Sequence, residues 1–157
     1  MTYIFRYLGM QDIVGFALET LKARSPVGSG RDPHPGLYRD SHLVFLNGHV
    51  VPDVKAFRRG DQINISNPVP YARKLEIGNA TVQAPLHVYE DAALIVADRF
   101  GNRAAVKFTF MPVRFGDVSA YAHSLAGQAA GRRVRGRNAK GLAEWLVRQP
   151  ALEIRAR

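Results

Sequence analysis

In the stretch SHLVFLNGHVVPD, Asn47 and Gly48 separate two apolar runs. Both central residues of a type I′ turn need positive φ, which asparagine and glycine tolerate best, so the pair predicts a β-hairpin. A hairpin ties two strands in one register and seeds an antiparallel sheet, which narrows the possible folds more than any other local signal here. INIS, residues 63–66, alternates in polarity and predicts a further strand. The following NPVPYARKLEIG holds two prolines, which a central strand does not accept. Residues 71–76 are therefore expected as a helical turn, closed by Gly78. In AVKFTF, Val106, Phe108 and Phe110 share one face while Lys107 and Thr109 share the other, the pattern of a half-buried strand.

The remaining periodicity is helical. Ile13, Phe16, Ala17 and Leu21 recur at three- and four-residue steps over 11–24, with Glu19 and Lys22 on the polar side. Pro26 ends this helix, because a proline pushes the preceding residue out of the helical region. The opening TYIFRY fits either a strand or an early helical turn. Over 87–100, Val88, Ala92, Ile95 and Arg99 with Phe100 fall in helical register, and Gly101-Asn102 provides a stop. Asp117 is placed to cap a helix running to about residue 130, and a short helix with Trp145 is expected over 142–147.

These elements predict an α+β chain: a leading amphipathic helix, an antiparallel sheet with its hairpin at Asn47-Gly48, a middle helix packed on that sheet, and a helical, basic C-terminal region. They lack the regular strand–helix alternation of a doubly wound parallel sheet. With 157 residues the expectation is one domain over 1–130 and a basic arm or helix over 131–157 belonging to the same subunit. No repeats of 20–50 residues are present. No apolar run approaches the roughly 18 residues that a membrane span needs, and the start MTYIFRYLGMQD does not read as a secretory signal.

Charge narrows the partners. The net charge is +9, and 131–157 holds eight basic residues against two acidic ones, so six of the nine excess charges lie there. Such a surplus points to a polyanion or an acidic protein surface. In the run 132–140, Arg132, Arg133, Arg135, Arg137 and Lys140 suit either phosphate contact or a loop that orders against a partner. The run has no aromatic residue for base stacking, so the partner-facing reading is preferred.

Motifs for chemistry are weak. The chain has no cysteine, which removes disulfides, thiolate ligands and cysteine nucleophiles. GSGR at 28–31 follows a helix and leads towards a hairpin, whereas a phosphate loop links a strand to a helix. The five histidines, His34, His42, His49, His87 and His123, show no metal-ligand spacing. His42 and His49 flank the hairpin turn and are expected as a surface cross-strand pair. Glu90 and Asp91 start a helix, where acids favour the dipole rather than acid–base work. Ser25, Ser29 and Ser41 lack a nucleophile-elbow context. The expectation is no catalytic, cofactor-binding or metal-binding residue and no enzyme activity.

Two segments carry a resemblance. SPVGSG…GLYRDSHLVFLNG followed by INISNPVPYARKLEIG resembles the head–tail connector and tail-completion (neck) proteins of tailed bacteriophages. There a leading helix ends at a PV-x-[ST]-G turn, [LY]-R-x-S leads into a strand, and N-x-x-x-YA-x-x-[LV]-E-x-G follows a later strand. The matching residues are Pro26, Val27, Ser29 and Gly30; Tyr38, Arg39 and Ser41; and Asn67, Tyr71, Ala72, Leu75, Glu76 and Gly78. The match covers roughly the first half of the chain. It departs at Gly28, where an aspartate is common, and at the inserted RDPHP.

The resemblance implies a structural virion protein of the neck: a homo-oligomeric ring between capsid portal and tail, made in the host cytoplasm. Its partners would be itself, a portal or adaptor protein and tail or terminator proteins, with DNA passing through the channel as a further contact and no membrane. The alternatives are a minor tail protein or a basic protein that contacts DNA through its arginine-rich segment. Candidate contacts are Arg31, Pro33, His34, Pro35, Tyr38 and Arg39 in the loop, Tyr71 and Glu76 in the YA-x-x-LE turn, and the five bases of 132–140. Pro26, Gly30 and Gly36 are expected to shape the loop.

Overall fold

The computed structural model describes residues 2–26, 36–69, 72–77, 86–113 and 147–157. Helix α1 (Thr2–Arg24) leads through the short α2 (Leu37–Asp40) into β1 (Leu43–Leu46), β2 (His49–Val51) and β3 (Ile63–Ser66). Then come α3 (Ala72–Ile77), α4 (Val88–Phe100), β4 (Ala104–Pro112) and β5 (Arg148–Ala156). The opening residues are thus helical and continuous with the amphipathic helix.

The hairpin forms as its turn residues require. Asn47 has φ 49° and Gly48 φ 87°, the double positive φ of a type I′ turn, with Leu46 opposite His49. Asn47 is also braced from outside: its N–H donates to Gln62 O at 2.8 Å, and its Oδ1 accepts from Gln62 N at 2.9 Å.

From this hairpin grows one antiparallel sheet of five strands, ordered β2-β1-β3-β5-β4. Its register aligns apolar side chains in rows. Val51, Val44, Ile65, Leu152 and Phe108 stand side by side across all five strands, and Leu46, Ile63, Ile154 and Val106 form the next row. Because side chains alternate between faces, both rows point to the same side. There they meet Met10, Ile13, Val14, Ala17 and Leu21 of α1 and the inner face of α4 in one core. A smaller cluster, Phe45 and Val113 with Leu43 and Met111, covers part of the opposite face.

Two expectations change. The inner face of α4 is Val88, Tyr89, Ala92, Ala93 and Val96, whereas Ile95 is exposed. Steps of three and of four both satisfy helical spacing, so the periodicity alone did not separate Ile95 from Val96. The C-terminal residues are the larger correction. Residues 148–156 form neither an arm nor a helix; they are β5, inserted between β3 and β4. Leu152, Ile154 and Ala156 alternate with Glu153 and Arg155, which puts the apolar set inward and the charges outward. Pro150 is compatible with this interior strand because β3 ends at Ser66, opposite Ala151, so Pro150 borders only β4. The expected helix at 117–130, the basic run 132–140 and, but for Val147 at a turn, the expected helix at 142–147 lie outside the described residues.

Candidate functional site

A buried polar cluster lies where the end of α1, the segment before β1, the segment after β3 and the start of α4 meet. Each member is delivered by local chemistry. Pro26 stops α1, and Ser25 turns its hydroxyl back to Leu21 O at 2.5 Å. Gly36, at φ 81°, turns the chain into α2, which buries Tyr38. Asn67 precedes Pro68 and folds into an Asx turn, its Oδ1 accepting from Val69 N at 2.9 Å. Its amide donates to Tyr38 O at 2.8 Å, joining the two motif segments.

His42 sits at the centre. Its Nε2 is 2.8 Å from Ser25 Oγ, and its Nδ1 is 2.6 Å from Tyr89 Oη, with Asn67 Nδ2 farther off at 3.4 Å. The rings of Tyr38 and Tyr89 meet the imidazole edge to face, at centroid distances of 5.0 and 5.4 Å. The network assigns the tautomer. The Ser25 hydroxyl spends its hydrogen on Leu21 O, so it can only accept from His42, and Nε2 carries the proton. Nδ1 is then the acceptor for the Tyr89 hydroxyl.

A serine–histidine pair at this distance invites a nucleophile–base reading, but the protons run the wrong way. A nucleophile must offer its hydrogen to the imidazole lone pair, whereas here the imidazole donates to the serine. The arrangement instead locks four chain segments together. Burial pushes the His42 pKa down to about 4; the nearby Lys22 charge adds to this, and Asp40 opposes it. Burial likewise raises the Tyr89 phenol well above its ordinary value. Both groups are therefore neutral at pH 7.

This has a consequence for acid stability. The unfolded chain binds a proton at His42 near pH 6.5, whereas the folded one resists until about pH 4. The His42 contribution is thus complete above pH 6.5 and is lost as the pH falls towards 4, by ~3 kcal/mol in all. Urea unfolding at pH 7 and pH 4 is expected to show that loss in the native chain. It should be absent in His42→Gln, which cannot titrate at that position; equal pH dependence of the two chains would refute the assignment.

A second cluster adjoins the first. Glu76, at the end of α3, is fully buried, and its carboxylate accepts from Tyr89 N at 2.7 Å and Glu90 N at 3.0 Å. It caps α4 from another helix, in place of the missing local side-chain cap at His87. His87 takes the left-handed conformation, φ 51°, and its Nδ1 is 3.0 Å from Glu90 Oε2. One potential ligand atom from each of Glu76, His87 and Glu90 lies within 4.8 Å of the others. Both Glu76 oxygens are already engaged by N–H groups, and a cation here would face the positive end of α4. The set is better matched to anchoring that helix than to holding a metal. Burial raises the Glu76 pKa, and the two N–H bonds partly oppose that rise.

Gln149 ties β5 to the same corner, its amide nitrogen donating to Asn67 O at 2.7 Å and Val69 O at 2.6 Å. Among the described residues its Oε1 has no partner.

The sequence-predicted residues divide accordingly. Tyr38 and Glu76 turn inward, at 2% and 0% exposure, so they serve the fold rather than a neighbour. Arg39 is on the surface and pairs with Asp40 at 3.1 Å, which holds that carboxyl below its usual range. Arg31, Pro33, His34, Pro35, Tyr71, Arg132, Arg133, Arg135, Arg137 and Lys140 lie outside the described residues. His42 is not the expected surface partner of His49. The register pairs His49 with Leu46, and His42, before the strand begins, is buried against Ser25 and Tyr89. Tyr89 and Gln149 carried no signal of their own in the sequence, because each acquires its role only from distant segments.

This chain matches no family model, no curated protein and no solved structure. No helix among the described residues is long and apolar enough to cross a membrane.

Proposed function

We propose that the chain is a non-enzymatic structural subunit of a tailed-phage neck, a head–tail connector or tail-completion protein that assembles into a ring. The observation that carries this reading is the ordered pair of motif segments, together with where their described residues go. Ser25, Tyr38 and His42 from the first segment meet Asn67 from the second in one buried, hydrogen-bonded corner, and Glu76 holds the backbone of Tyr89, whose hydroxyl reaches His42. Buried polar groups that satisfy one another cannot be exchanged singly without cost, so such residues make a fold signature rather than a surface coincidence. The proton arrangement around His42 supports a structural role for its one serine–histidine contact.

A subunit of this kind meets identical neighbours head to tail, and that interface closes into a ring when the rotation fits. The sheet-bearing body, which includes β5, carries the basic run 132–140 as a second element for contact. Electron microscopy of the purified protein, and of virions containing it, is expected to show closed rings at the junction of head and tail. A chain that stays monomeric at every concentration and is absent from particles would overturn the reading.

The net charge of +9 favours a second reading, contact with DNA through 132–140. It predicts duplex affinity that falls steeply with salt and is lost when Arg132, Arg133, Arg135 and Arg137 are replaced by alanine. Unchanged affinity in that variant would exclude this role for the segment.

A further inference from the structure

In a chain with nine excess positive charges, helix α4 is locally acidic, with Glu90, Asp91 and Asp98 against Arg99. Arg24 is spent on Asp91 at 2.5 Å, and the Arg99 guanidinium lies over the Phe16 ring at 4.7 Å. Glu90, Leu94 and Asp98, four residues apart, form one exposed row on α4. Leu94 is 67% exposed in the single chain, an unusual position for a leucine between two carboxylates. Asp98 has no ion pair among the described residues. Ile77 and Leu86, before the start of α4, are also exposed, at 55% and 42%.

An exposed leucine flanked by two acids fits a partner with several cations and some apolar content. The chain contains such a partner. RRVR, residues 132–135, followed by Arg137 and Lys140, has five bases, a valine and no acid.

We propose that the outer row of α4 is the docking surface for segment 132–140 of a second copy of this chain. The contact is heterologous: each subunit gives its segment to one neighbour and receives another's on α4. This deepens the ring reading and rests on it.

Charge exchange tests it. Glu90→Arg with Asp98→Arg makes α4 basic. Arg132→Glu, Arg133→Glu, Arg135→Glu and Arg137→Glu make the segment acidic. Glu90 and Asp98 are exposed on α4, Glu90 also meeting His87, and thermal unfolding of each variant serves as the control. In sedimentation velocity each variant alone is expected to self-associate at least about tenfold more weakly than the native chain, because like charges now face each other. An equimolar mixture of the two should recover assembly, since each interface in an alternating ring again joins opposite charges.

Variants that assemble like the native chain, or a mixture that does not recover, would overturn the docking surface while leaving the ring intact. A native chain that never self-associates would overturn both. Protection of α4 from hydrogen exchange that is independent of concentration would instead assign the row to the chain's own segment, and would also overturn the proposal.

Discussion

A chain ending at Val147 is expected not to fold. The ten residues removed are not a peripheral tail but β5, whose ladders to β3 and β4 hold the two parts of the sheet together. Ala151, Leu152 and Ile154 are fully buried, and Leu152 and Ile154 stand in the rows that join Ile65 to Phe108 and Ile63 to Val106. Burying one large aliphatic side chain contributes ~1.5–3 kcal/mol. Losing Leu152 and Ile154, and exposing the four neighbours they cover, therefore costs on the order of 10 kcal/mol. That is comparable with the entire stability of an ordinary domain, ~5–15 kcal/mol. The expected result is an insoluble chain, or one with no cooperative thermal transition by circular dichroism. Arg155→Ala serves as the contrast: this residue is exposed, pairing with Gln62, and its loss should change stability by no more than ~1 kcal/mol. A truncated chain that still unfolds cooperatively would show that 148–157 is dispensable, contrary to the sheet order.

Replacing Glu76 by alanine is expected to cost ~2–4 kcal/mol. Its two oxygens receive the N–H groups of Tyr89 and Glu90, and the Tyr89 amide is buried where water cannot replace the lost acceptor. The negative charge also faces the positive end of α4. The gain is smaller than the contacts alone suggest, because burial disfavours the ionised carboxyl, as its raised pKa records. That shift acts on stability with a sign opposite to His42. The folded state holds the Glu76 proton more tightly than the unfolded one, so this contribution is largest in acid and falls as the pH rises through the folded pKa. Glu76→Gln keeps one carbonyl acceptor but turns an amide against the second N–H, so it should lose about half as much as the alanine variant. Hydrogen exchange at Tyr89 and Glu90 should quicken in both variants, ahead of residues late in α4. Unaltered exchange there, with unaltered urea midpoints, would remove Glu76 from its role as cap.

The Glu76 case shows how far the chain could be read before folding. YARKLEIG marked a helical turn and singled out Glu76, yet nothing in that octet names its acceptors' partners thirteen and fourteen residues away. His42 is a sharper instance. Its position beside a hairpin suggested a surface pair with His49, because a strand extended back from Leu43 would place it near the turn. The chain instead turns inward before β1, where Ser25, Asn67 and Tyr89 complete its hydrogen bonds. A buried histidine and an exposed one have the same local sequence; what separates them is whether distant donors and acceptors converge.

β5 did carry a local signal. Leu152, Ile154 and Ala156 alternate with Glu153 and Arg155, but the charge surplus over 131–157 placed the segment, Pro150 included, in a basic arm. The proline is harmless only because β3 stops one residue short of it.

What the sequence determined by itself is therefore what neighbouring residues decide together: the Asn47-Gly48 turn, the strands at 63–66 and 105–110, and the helices ending at Arg24 and Phe100. Turn dihedrals and the periods of two and 3.6 act over a few residues, and these elements follow from them. The tertiary structure alone decided that the last strand enters the middle of the sheet. It also decided that α4 presents Val96 rather than Ile95 to the core, and that His42 is locked as a neutral donor to Ser25. Each of these depends on groups brought together from far apart in the chain, where register, burial and the sharing of protons are settled jointly.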